Sequence, residues 1–133
     1  MQRRTWQRDA VQYALRRRDD FVTAQGLHTE LAASGAGVGL ATVYRALSDM
    51  VDAGEVDALQ SPTGEALYRA CRTGAHHHHL ICRDCGRAVE IEADAVEEWA
   101  KDTAASHGFS DPVHVVDIFG TCDKCALHDA RRV

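Results

Sequence analysis

The stretch His76-His77-His78-His79-Leu80-Ile81-Cys82-Arg83-Asp84-Cys85 decides how this chain is read. Four consecutive histidines run into a Cys-x-x-Cys pair, and imidazole and thiolate are the usual ligands of zinc. A β-strand over His76 to Cys82 sends successive side chains to opposite faces. His76 and His78 then face one way and His77 and His79 the other, so one strand contributes to two separate metal sites. Cys82 and Cys85 serve a third. The plain alternative is an affinity tag, but a tag is normally terminal, and this run sits mid-chain and leads into Leu80-Ile81-Cys82.

A second knuckle, Cys122-x-x-Cys125, repeats the first. Four thiolates leave no open position on a tetrahedral ion, which makes the expected site structural rather than catalytic. The knuckles stand further apart than in a compact zinc ribbon, so a helix and a strand must lie between them. A redox pair is the competing reading, but it usually takes one such motif at a helix start. The fifth cysteine, Cys71, precedes the histidine strand by a few residues, within reach of one of its faces. His77 and His79 on that face leave two places, for which Cys71 and the carboxylate of Asp57 are candidates. For His76 and His78 the available partners are Glu97 or Glu98 and His114. Spacing alone does not choose among them.

The 133 residues suffice for one ordinary domain or two small ones. No apolar run approaches the ~18–20 residues that span a bilayer, and Met1-Gln2-Arg3-Arg4-Thr5 opens no signal segment. A cytoplasmic location is the expectation, and five cysteines there favour metal over disulfides. The net charge of −5 is uneven. Residues 1–72 carry nine arginines against nine Asp or Glu, whereas residues 73–133 carry six Lys or Arg against eleven. Bound cations would offset that excess, and a nucleic-acid partner requires a local basic surface.

Thr5 to about Arg18 reads as a helix, with Thr5 as N-cap and Ala10, Val11, Ala14 and Leu15 at helical spacing. Arg16, Arg17 and Arg18 suit the helix dipole; Arg3, Arg4 and Arg8 stand at the wrong end for it and are candidates for phosphate contacts. Thr23 caps a second helix to about Ser34, and a glycine-rich turn follows. Leu40 to about Ala53 is a third helix closed by Gly54, with Val43, Leu47, Met50 and Val51 buried. Thr42, Tyr44, Arg45 and Ser48 fall elsewhere on its surface. Glu55–Gln60 and Ala66–Arg69 alternate about Ser61-Pro62-Thr63-Gly64, which predicts a hairpin. The expected class is α+β: a winged helix-turn-helix over residues 1–70, a hinge over 71–75, and a small α/β unit over 76–133. An ordinary small α+β domain is the alternative for the first part. In the second, strands are expected at His76–Ile81, Ala88–Glu92 and Val113–Phe119, with a helix over Asp94–Ser106 turning Val96, Trp99, Ala100 and Thr103 inward. The tail from Ala126 reads as short and polar.

The chain resembles the ferric uptake regulator family of bacterial metalloregulators. The resemblance rests on Thr5-x-Gln7-Arg8, on Gly39-Leu40-Ala41-Thr42-Val43-Tyr44-Arg45-x-Leu47, on His76-His77-x-His79-Leu80-Ile81-Cys82-x-x-Cys85-Gly86 and on Gly120-x-Cys122-x-x-Cys125. It implies a DNA-binding winged helix, a dimerisation domain, and a metal-dependent repressor that is not an enzyme. It implies structural zinc on Cys82, Cys85, Cys122 and Cys125, and a sensing site of Asp57, Cys71, His77 and His79. It implies a further site of His76, His78, Glu97 and His114, with Glu97 preferred to Glu98. One structural and one or two regulatory zinc ions per subunit are therefore expected. The soft thiolate of Cys71 and the histidine at His78 point to the zinc uptake regulator branch rather than to iron or peroxide sensing. Expected partners are operator DNA and a second copy of the chain, with no membrane or small-molecule substrate. Tyr44 is expected against a thymine methyl, Arg45 on guanine or phosphate, Arg8 on the backbone, and Thr42 beside them. A nickel- or iron-sensing relative, a thiol redox sensor and a zinc hydrolase using Glu98 are the alternatives.

Overall fold

The computed structural model describes residues 5–70 and 77–131; for residues 5 and 129–131 it describes backbone alone. Three helices open the chain: α1 (Thr5–Arg16), α2 (Ala24–Ala33) and α3 (Leu40–Asp52). A hairpin of β1 (Val56–Gln60) and β2 (Ala66–Ala70) follows. Val11, Leu15, Leu27, Leu31, Val43, Leu47, Met50 and Val56 form one buried cluster among these elements. Val22 exchanges backbone hydrogen bonds with Tyr68 and lays the α1–α2 connection along the hairpin. This is a winged helix-turn-helix, with α3 in the recognition position.

The helix ends follow from local chemistry. Thr23 Oγ1 accepts the Gly26 N–H at 3.0 Å and starts α2. At the end of α3, Gly54 has φ of +76°. Its N–H donates to the Val51 carbonyl, and that of Glu55 donates to Met50, a Schellman closure. Thr5 is the first helical residue of α1 rather than its cap; what precedes it lies outside the described residues.

The second part holds β3 (His78–Cys82), β4 (Ala88–Ile91), α4 (Asp94–Ser106), β5 (Asp117–Gly120) and α5 (Asp123–Arg131). The sheet order is β4-β3-β5, with β3 antiparallel to β4 and parallel to β5. Several expectations are corrected here. The histidine strand starts at His78; His77 precedes it, and His76, like Cys71, lies outside the described residues. The last strand starts at Asp117 rather than Val113, because the preceding residues pair with no strand among the described residues: Val113 and Val115 are 91% and 79% exposed. Trp99 does not turn inward but is 67% exposed, and no α4 residue is fully buried. The polar tail, for which no element was expected, belongs to α5, which starts on the second knuckle, where Asp123 suits a helix N-terminus and Cys122 O accepts the Ala126 N–H at 2.8 Å.

The two parts meet at Gly86, just past the first knuckle. The Phe21 N–H donates to its carbonyl at 2.8 Å, and a Cβ on Gly86 would lie 2.4 Å from the Phe21 oxygen. Gly108 has a similar φ, +78° against +81°, with nothing near its missing Cβ. Gly86→Ala should therefore destabilise the protein by roughly 1–3 kcal/mol more than Gly108→Ala, read from denaturant unfolding of the two variants.

Candidate metal centres

Three clusters of metal-ligating side chains form among the described residues, each with its ligand atoms within 4.8 Å of one another. They are Cys82, Cys85, Cys122 and Cys125; Asp57, His77 and His79; and His78, Glu97 and His114.

The first cluster joins the turn after β3 to the start of α5. Cys82 is buried, while Cys85 is exposed. A tetrahedron with ~2.3 Å zinc–sulfur arms has edges of about 3.8 Å, and the Cys85 and Cys122 sulfurs are 3.8 Å apart. The thiols are already differentiated. Burial works to raise the Cys82 pKa, yet backbone N–H groups of Cys122, Cys85 and Asp84 outweigh it and bring the thiol down to about 6. Cys125 is pushed the other way, first by its hydrogen bond with Cys122 and then by burial and the remaining sulfurs. Four thiolates this close ionise together only around a cation, so the donor set fits zinc with no vacant position.

The second cluster draws on both parts of the fold. Asp57 projects from β1, His77 stands just before β3, and His79 lies on β3. The Asp57 Oδ2 lies 3.1 Å from His77 Nε2 and 3.5 Å from His79 Nε2. Oxygen and nitrogen ligands at ~2.0–2.2 Å from a tetrahedral ion stand about 3.3–3.6 Å apart, so the spacing is close to what zinc requires. Among the described residues, the buried His79 Nε2 has no hydrogen-bond partner. It faces the Asp57 oxygen at 3.5 Å, a long contact that a shared metal ion would replace with a direct bond. The opposite nitrogen, Nδ1, faces Asp117 Oδ1 at 3.4 Å, which leaves Nε2 free to ligate. Burial pushes the Asp57 pKa up, but His79 and His77 outweigh it and hold the carboxyl below its ordinary value.

The third cluster lies on the opposite face of β3. His78 is 2% exposed, and its Nε2 is 2.8 Å from Glu97 Oε1; His114 Nε2 reaches the same oxygen at 3.0 Å. These are hydrogen-bond lengths, shorter than ligand-to-ligand spacings around zinc, so this site must open slightly to take an ion. Glu97, not the exposed Glu98, faces the histidines. The strand therefore separates its histidines as alternation predicts, His77 and His79 to one cluster and His78 to the other. Cys71 and His76 lie outside the described residues.

Arg8, Thr42, Tyr44 and Arg45 surround one shallow concavity of about 400 Å³. Tyr44 is 48% exposed and so is not a packing residue. Arg8 is paired with Glu55 at 3.2 Å, and Arg45 donates to Thr42 Oγ1 at 3.1 Å. Sequence reasoning missed Glu55 as the Arg8 partner, and also Asp117; the strand pairing of Asp117 with His79 is the signal that finds the latter.

The sequence model of the ferric uptake regulator family matches residues 2–119. The zinc uptake regulation protein of Mycobacterium tuberculosis is 50% identical over 123 residues, 92% of this chain and 94% of that protein. The crystal structure of FurB, a zinc uptake regulator from M. tuberculosis, is also 50% identical, covers 92% of this chain and 95% of its own, and superposes with a TM-score of 0.56. A zinc uptake regulator complexed with zinc and DNA is only 26% identical, covering 93% of this chain and 83% of its own, yet superposes better, at 0.70. Overall superposition thus does not follow sequence identity here.

Among the described apolar residues after residue 76, Ile81 and Cys82 alone are buried, so this part has little core of its own. Structural zinc in small sites contributes about 10–16 kcal/mol of apparent binding free energy, which is folding free energy. Cys122→Ser should remove one zinc per chain and unfold β3 to α5 while the helical part stays folded. Metal content and hydrogen exchange measure both effects; persistent protection of β3 would contradict this role for the ion.

Proposed function

The chain belongs to the ferric uptake regulator family, and within it we propose that the protein is a zinc-responsive transcriptional repressor, binding operator DNA as a zinc-loaded homodimer and controlling zinc uptake and homeostasis genes. The observation that carries the reading is Asp57, a hairpin carboxylate set against His77 and His79 of the sheet. With Cys71 as fourth ligand, these residues would hold the regulatory ion; Cys82, Cys85, Cys122 and Cys125 hold a structural one, and His76, His78, Glu97 and His114 a further one. Zinc supplies a double positive charge that all four side chains of a site share. The thiolate of Cys71 makes the regulatory set softer than the oxygen and nitrogen sets that suit manganese or iron.

Each side chain then has a mechanical consequence. Asp57 anchors the wing, and through it the recognition helix, while His77 and His79 anchor the sheet. Engaging all of them fixes residues 1–70, the DNA-binding part, against residues 76–133, the dimerisation part, across the 71–75 hinge. Differing inter-part angles would also account for a superposition that does not track identity. A coupling of about 1–3 kcal/mol between metal and DNA gives roughly 5- to 150-fold in affinity, in both directions.

On DNA, Tyr44 and Arg45 reach base edges from α3 with Thr42 beside them, and Arg8 exchanges Glu55 for a phosphate. Leu80 pairs with Val89 on one side and Ile118 on the other, an apolar row across the sheet that is 41–47% exposed. With Trp99, Val113 and Val115 it leaves apolar area in water that a second copy would cover.

The test is binding of operator fragments titrated against buffered free zinc, with metal per chain measured in parallel. Binding should rise with occupancy of the second zinc. Asp57→Ala and Cys71→Ser should each weaken zinc-dependent binding by about 10- to 100-fold, with the unfolding midpoint nearly unchanged. DNA binding indifferent to zinc, or a Cys71→Ser variant that still responds as the parent does, overturns the reading. A response to nickel alone reassigns the metal.

A further inference from the structure

Arg69 is 7% exposed, one of the few buried charged residues in the structure. It stands on β2, directly across from Asp57 on β1. Its Nη1 donates to Glu90 Oε1 of β4 at 2.7 Å, and its Nε donates to the Asp19 carbonyl at 2.8 Å. Glu90 is in turn the cross-strand partner of His79. Two facing pairs result: Asp57 beside Arg69 on the hairpin, and His79 beside Glu90 on the sheet. Arg69 meets Glu90 one strand over from where Asp57 meets the histidines.

This contact spans the two parts a short way from the close Phe21–Gly86 contact, beside an open cleft. A cleft of about 820 Å³ opens between the wing turn, including Ser61, Pro62 and Thr63, and the first knuckle, including Arg83 and Asp84. A short, largely dry charge-assisted bond beside such a cleft restricts the angle between its walls. The Arg69 hydrogen bond is the main reason that the Glu90 carboxyl lies below its ordinary pKa; burial opposes it, and the charge of His77 and His79 adds to it.

We propose that Arg69 is a positioning residue for the regulatory site: its ion pair with Glu90 clasps the hairpin to the sheet before metal arrives and presents Asp57 to His77 and His79. The proposal rests on the sensing role given to Asp57, His77 and His79 above. Without the clasp, zinc alone must order the two parts, and affinity falls by that ordering cost. The Asp19 bond fastens Arg69 to the α1–α2 connection, so the clasp pulls on the whole helical part rather than on the hairpin alone.

The experiment uses the full-length protein with its structural zinc in place and the regulatory site empty. Arg69→Gln, Glu90→Gln and the exchanged pair Arg69→Glu/Glu90→Arg are compared with the parent. Zinc affinity is read by chelator competition, and the inter-part distance by pulsed EPR between non-cysteine spin labels at exposed Ala33 and Asp102. Both single variants should weaken zinc by roughly 10-fold and broaden the distance distribution, and the exchange should recover part of each. The Glu90 side chain is 26% exposed against 9% for Arg69, so Glu90→Gln keeps the test alive where Arg69→Gln misfolds. Unchanged distances in Glu90→Gln overturn the clasp. Weaker zinc in Glu90→Gln alone, with distances intact, overturns it in favour of Glu90 as a ligand. Tighter zinc in Arg69→Gln also overturns it, because Arg69 would then hold a competing carboxylate off the metal. A parent protein that takes up no second zinc defeats the sensing reading, and the clasp then stands or falls on the distances.

Discussion

A carboxylate on the wing hairpin lies 3.1 Å from one imidazole of the C-terminal sheet and 3.5 Å from another. Much of the molecule can be understood as a support for that contact. Asp57 comes from a hairpin locked to the helices by the Val22–Tyr68 bonds, so its position reports that of α3. His79 sits on the central strand of the sheet and His77 just before it, with Asp117 behind His79 and the Phe21 ring 5.1 Å from it. Moving either side by an ångström would take the donors out of range of a common ion. Donor spacing is therefore also a measure of the angle between the two parts.

The two parts are stabilised in different ways. The helical part has a continuous apolar core from Val11 to Met50 and needs no ion to bury it. The second part buries little apolar surface and instead gathers nine of the ten cluster residues among those described, with Asp57 coming from the hairpin. Its acidic composition has the same logic, since carboxylates and thiolates that would repel one another become favourable around cations. Its exposed row of Leu80, Val89 and Ile118 points the same way, leaving apolar area that the proposed second copy would cover.

Much of this was legible in the residues. Period-two alternation separated His77 and His79 from His78, because the backbone entering β3 continues the strand's alternation by one residue. The knuckle repeat fixed the four-cysteine cluster, and the helix stripe of Val43, Leu47 and Met50 fixed α3. Elements whose form depends on partners beyond the local chain were read wrongly. Val113 and Val115 alternate like a strand but have none beside them, and Trp99 has the spacing of an inward residue with no surface to meet. The helix α5 was missed because it rests on a knuckle and a capping acid rather than on an apolar face. Choosing Glu97 over Glu98 took the family resemblance, since a one-residue step on a helix is about 100° of rotation that spacing to a distant strand does not fix. Arg69 and Glu90 escaped for a related reason: each looks like an ordinary solvent-facing charge until the two sheets are brought face to face.

In the proposed switch a single ion is shared by the hairpin and the sheet. Zinc K-edge absorption on protein carrying one and then two equivalents tests it most directly, because the difference isolates the second ion's ligands. One sulfur and three nitrogen or oxygen neighbours at about 2.0–2.3 Å are expected, with one light-atom neighbour lost in Asp57→Ala. A second ion with no sulfur, or with a ligand shell that is the same in Asp57→Ala, would contradict it.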